Sequence, residues 1–142
     1  ITDLQAAIQE VGAVYVSAFT HGGWDDVPSR RKPPEDHAAL PLIPWDGRPS
    51  KRDGHAFALV GFNSRGFIVQ NSWGTDFGLG GFAVLSYGDW LANAMDAWAV
   101  AIGVPGVVVG RVGNNATGGT ASIAGGGADT RNWWSEDQAY RH

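Results

Sequence analysis

Cysteine is missing from these 142 residues, so they hold neither a disulfide nor a thiolate metal site. Long apolar runs are missing too: none reaches the roughly 18 residues that a membrane-spanning helix needs. The start of the chain lacks the basic-then-apolar pattern of a signal peptide. Positive charge is scarce, with ten Lys and Arg against fourteen Asp and Glu and a formal net charge of −4. The basic residues that stand close together, Arg30, Arg31, Lys32 and Arg48, Lys51, Arg52, make no face suited to nucleic acid. The four histidines, His21, His37, His55 and His142, show no paired spacing of the HExxH kind, which argues against zinc. The reading is of a soluble domain with no metal or other cofactor, no nucleic-acid partner and no membrane.

What the sequence does contain is strongly patterned. Thr2 and Gln5 fit a capping box, and Leu4, Ala7, Ile8 and Val11 recur at helical spacing, predicting a short helix over about 3–10 that Gly12 ends. AVYVSAF, residues 13–19, is β-branched and aromatic and reads as a strand. Residues 20–53 hold six prolines among scattered charges and read as a long surface loop, either functional or a plain excursion. From Gly54 the pattern is β again. HAFALVGF and FIVQN flank the turn Asn63-Ser64-Arg65-Gly66, with Gly66 expected at positive φ. Both arms are apolar on both faces, so the hairpin should be central and covered. FAVLSY, 82–87, predicts another strand, and Asp89 is expected to cap a helix over 89–102 whose Trp90, Ala94, Ala97 and Trp98 share a face. The organisation expected is a β-rich domain over 1–104, a glycine-rich linker over 105–130, and a tail or the start of a further segment over 131–142. The fold class is α+β.

Within this frame two polar residues are out of place. His55 opens one arm of the hairpin and Asn71 closes the other, so antiparallel pairing returns both to the same open end. An amide oxygen beside an imidazole accepts its N–H, fixes the ring and leaves the other nitrogen free for proton transfer. A satisfied core histidine and a strand-end asparagine are the plain alternative.

Asn71-Ser72-Trp73-Gly74, followed by Gly78, Gly81 and Phe82, resembles the segment around the catalytic asparagine of papain-like cysteine peptidases. GHAFALVGF resembles the strand that bears their histidine, and AVYVSAF the segment before it, so the resemblance covers about residues 2–87. It implies the second, mostly antiparallel β half of such an enzyme, whose helical N-terminal half lies outside these residues and acts as its partner. It further implies His55 as general base and acid, Asn71 as its orienter and Trp73 as a cover over their hydrogen bond. Val16, Ser17 and Ala56 are similar to positions lining the pocket for the substrate residue just before the scissile one. Phe77 stands where the family usually has a second tryptophan, bordering the leaving group. The nucleophilic cysteine would lie on the order of 75–95 residues before Ile1. The implied activity is hydrolysis of a peptide or protein substrate, and the implied alternative is a peptidase-derived binding module without chemistry.

Overall fold

The computed structural model describes residues 1–32 and 35–100. The expected linker and tail, and the end of the predicted helix at 101–102, lie outside the described residues. Five strands form one open antiparallel sheet: β1 (Val14–Phe19), β2 (Gly54–Asn63), β3 (Gly66–Gln70), β4 (Phe82–Ser86) and β5 (Ala94–Ala99). Their order across the sheet is β4-β3-β2-β1-β5. Two helices, α1 (Thr2–Val11) and α2 (Tyr87–Asn93), complete an α+β fold. No described helix is long and apolar enough to cross a membrane.

The β2–β3 hairpin occupies the middle of the sheet because it is apolar on both sides. Phe67, Val69, Leu59 and Leu85 pack on one face with Ile8, Trp24 and Trp90, while Val60, Ile68 and Val84 pack on the other with Leu40 and Phe82. Phe67, Ile68 and Val69 are fully buried. Each such side chain contributes about 1.5–3 kcal/mol relative to exposure.

Several local expectations give way to tertiary contacts. Helix α1 starts at Thr2 after an Ile1 N-cap that makes no side-chain capping bond. Gln5 is drawn instead to α2, where its Nε2–H donates to Tyr87 Oη at 2.9 Å. Gly12 does end the helix, its N–H donating to Ile8 O at 2.8 Å. Gly66 is not at positive φ. Its requirement is space, since a Cβ there would sit 2.0 Å from Leu85 O on the neighbouring strand.

The predicted helix over 89–102 is a single short helix followed by an edge strand. Ser86 is the N-cap, its Oγ accepting from Asp89 N–H at 3.1 Å, so Asp89 lies inside the first turn and does not cap it. Asn93 ends the helix: its side chain bridges Asp89 Oδ1 at 2.7 Å and Ser50 N at 2.6 Å. Ala94–Ala99 then pairs with the open edge of β1, Tyr15 opposite Trp98 and Val16 opposite Ala97. Backbone pairing along a sheet edge outweighs the modest helical preference of alanine and methionine. Trp90 stays in the core, whereas Trp98 is exposed.

The proline-rich segment 20–53 is not a surface excursion either. Trp24, Val27, Leu40 and Ile43 are buried and cover the sheet, with 3-10 turns at Gly22–Trp24 and His37–Ala39.

Tyr87 links these parts. It receives the Gln5 bond and donates to Asn63 O at 2.6 Å, and its ring stands edge-on to Phe67. Burial pushes its phenol above the ordinary value of 10.0, partly offset by the Gln5 bond. A group whose folded pKa is raised stabilises fully below its unfolded pKa and loses that contribution as pH climbs through the folded value. Unfolding titrations should therefore show wild type losing more stability than Tyr87→Phe between pH 9 and pH 11, values set about the ordinary 10.0. Parallel losses would remove Tyr87 as the cause.

Candidate active site

His55 is the second residue of β2 and lies opposite Ala18 of β1. Strand β3 returns antiparallel with Gln70 opposite Ala58, which delivers Asn71 to the same end of the sheet. The backbone of Asn71 is held there by its N–H donating to Gly81 O at 2.9 Å. Its Oδ1 lies 2.7 Å from His55 Nε2 and 2.8 Å from the backbone nitrogen of Ser72.

The second contact fixes the chemistry of the first. A backbone N–H only donates, so the atom facing it is the amide oxygen. The same oxygen faces His55, so Nε2 carries a proton and donates it to Asn71. In the neutral ring Nδ1 is then the basic nitrogen, and it has no hydrogen-bond partner among the described residues. Asn71 is buried while His55 is partly exposed, so the bond is sheltered on the asparagine side and the ring reaches the surface.

Aromatic rings enclose the imidazole. Trp73 lies at 4.7 Å between centroids, tilted by 37°, and Phe57 at 5.8 Å and 28°. Trp24 meets its edge at 5.9 Å and 83°. Trp73 is 46% exposed, which makes it an outer cover and not a core residue. Excluding water around a hydrogen bond strengthens it by lowering the local dielectric.

Trp24 was not singled out by the sequence, which places it in a polar, proline-rich stretch. It is only 2% exposed, and it packs on Phe57 at 5.0 Å and Phe77 at 5.9 Å. A hydrogen-bond chain pins its turn. Gly23 N–H donates to His21 Nδ1 at 3.3 Å, His21 Nε2–H donates to Asp89 Oδ2 at 2.8 Å, and Asn93 holds the other carboxylate oxygen. Both nitrogens of His21 are thus engaged, so it anchors the turn and has no nitrogen free to act as a base. Gly23 permits the close pass of the chain, because a Cβ there would meet Pro44 O at 1.7 Å.

The expected substrate contacts separate into two groups. Val16 and Phe77 are core residues, 2% and 7% exposed, and neither presents a surface to a substrate. Val16 points inward opposite Phe57, and Phe77 is stacked under Trp24. Ser17 and Ala56 are paired with one another across β1 and β2. Strand alternation turns them to the sheet face opposite to that of His55. Ala56 is exposed and Ser17 partly so.

Against known proteins, the chain matches no family model, no curated protein and no solved structure.

Proposed function

We propose that this chain is the histidine- and asparagine-bearing half of a papain-like cysteine peptidase. The observation that carries the reading is the His55 Nε2–H bond to Asn71 Oδ1, its amide orientation set by Ser72, with Nδ1 left free beneath the Trp73 cover. That arrangement suits a nucleophile brought to Nδ1 from outside these residues, because the chain has no thiol of its own.

In the proposed cycle a cysteine thiol gives its proton to His55 Nδ1, and the resulting thiolate attacks the carbonyl carbon of the scissile bond. A sulfur–carbon bond forms and the carbonyl electrons move to oxygen. As that oxyanion collapses, the carbon–nitrogen bond breaks and His55 Nδ1–H protonates the departing amine. Nδ1 then takes a proton from water. The hydroxide attacks the thioester, the carbon–sulfur bond breaks, and the acid product leaves with the thiolate restored. Asn71 holds the ring through both proton transfers, and Trp73 keeps water from competing for Asn71 Oδ1.

The complete protein, carrying its upstream half, should hydrolyse a denatured protein substrate such as casein, and prior treatment with iodoacetamide should abolish that activity. Hydrolysis that survives full alkylation of its thiols would contradict the reading. Absence of hydrolysis alongside tight peptide binding would favour a peptidase-derived binding module.

A further inference from the structure

The hydrogen bond from His55 Nε2 to Asn71 ties down one atom of the imidazole, so the position of Nδ1 depends on what else surrounds the ring. Trp73 and Phe57 lie within 37° and 28° of parallel to it. Offset parallel rings keep contact over a range of displacements, so these two limit tilt more than sideways travel. Trp24 meets the imidazole almost at a right angle, 83° at 5.9 Å between centroids. A perpendicular ring in contact stops travel toward it.

That ring is itself braced. Trp24 is 2% exposed and packs on Phe57 at 5.0 Å, Trp73 at 6.0 Å and Phe77 at 5.9 Å, so it backs both rings that lie along the imidazole as well as the imidazole. Its turn is tied by Gly23 N–H to His21 Nδ1, and by His21 Nε2–H to the buried carboxylate of Asp89 on α2. The placement of His55 is thereby referred to a fixed point in another element of the fold.

The indole N–H is not what this position uses. Nε1 is buried with no hydrogen-bond partner among the described residues, and an unpaired buried donor opposes folding. What the position uses is the breadth of the ring, which touches Phe77 and His55 at once. A phenyl ring is narrower and leaves a gap beside one of these neighbours.

Resting on the peptidase reading, we infer that Trp24 is a positioning residue for His55: it stops sideways travel of the imidazole and so holds Nδ1 where the thiol proton is received. Trp24 is buried and presents no surface to a substrate, so its effect falls on kcat and passes through His55 alone.

The test is casein hydrolysis by the complete protein, at a temperature well below the unfolding midpoint of each variant. Trp24→Phe should lower kcat about tenfold or more and leave KM within about twofold of wild type. Trp24→Met, which fills much of the space without a flat wall, should show the same split. In the His55→Ala background neither substitution should reduce the residual rate further. Val84→Ala is the control for stability alone, because Val84 is buried on the opposite face of the sheet with Leu40 and Phe82. It should lower the urea midpoint and leave kcat within about twofold of wild type. Folded Trp24 variants with wild-type kcat, or an equal fall in Val84→Ala, overturn the inference and leave the peptidase reading intact. If wild type hydrolyses no casein, the peptidase reading fails, and the ¹⁵N resonances of the His55 ring decide whether Trp24 positions it. An Nε2-protonated ring in wild type that becomes an average of two tautomers in Trp24→Phe upholds the inference, and the same ring signals in both proteins overturn it.

Discussion

Trp24→Ala should lower the unfolding free energy by about 3–5 kcal/mol, a large share of the roughly 5–15 kcal/mol that holds a domain of this size together. The indole is almost fully buried and touches four other rings, those of His55, Phe57, Trp73 and Phe77. Its turn cannot collapse to refill the space, because the His21–Asp89 bond and the close pass of Gly23 against Pro44 fix the backbone on either side. The cavity should therefore persist, and its cost adds to the lost burial. Urea titration would register the change as a lower midpoint with an unchanged slope, and Trp24→Phe should recover roughly half of the loss. A loss below about 1 kcal/mol would mean that segment 20–53 does not cover the sheet.

His55→Ala should reduce kcat/KM for peptide hydrolysis by about 10²–10⁴-fold, the usual contribution of a positioned general acid and base. Asn71→Ala should cost less, about 10²-fold, since it leaves the base in place but frees the ring to turn. In the proposed mechanism Asn71 acts only through His55, so the two losses should not add. The double variant is thus expected at the level of His55→Ala alone. His55 is partly exposed, so its removal should leave the thermal midpoint close to wild type, and an inactive but folded protein is the outcome to look for. Additive losses would make Asn71 an independent contributor and contradict its role as orienter.

The hairpin and its two polar ends were legible in the sequence because they depend on short-range rules. Two continuously apolar runs, HAFALVGF and FIVQN, joined by a short turn fix the pairing, and pairing alone returns Asn71 to His55. Elements whose structure is set by distant contacts were not legible. Residues 94–99 have helical composition, yet an unpaired edge of β1 captures them as a strand. Trp24 sits among prolines and charges, and nothing local says that two glycines before it allow a tight turn under the histidine. The Thr2–Gln5 capping box lost to a tertiary bond between Gln5 and Tyr87. Val16 and Phe77 show a different limit: similarity to a family gives positions along the chain, whereas exposure depends on which face of the strand or loop each side chain takes.

The central claim is that His55 serves a cysteine supplied from outside these residues. Titration of the complete protein with an irreversible thiol-directed epoxide, with the modified residue located by mass spectrometry, tests it most directly when wild type and His55→Ala are compared. Rapid modification of one upstream cysteine in wild type, slowed at least about 10²-fold in a folded His55→Ala protein, is the result expected of a working Cys–His pair. No modification of a folded wild-type protein, or modification at the same rate in both, would contradict the claim and leave the His55–Asn71 bond as a structural feature of the sheet's open end.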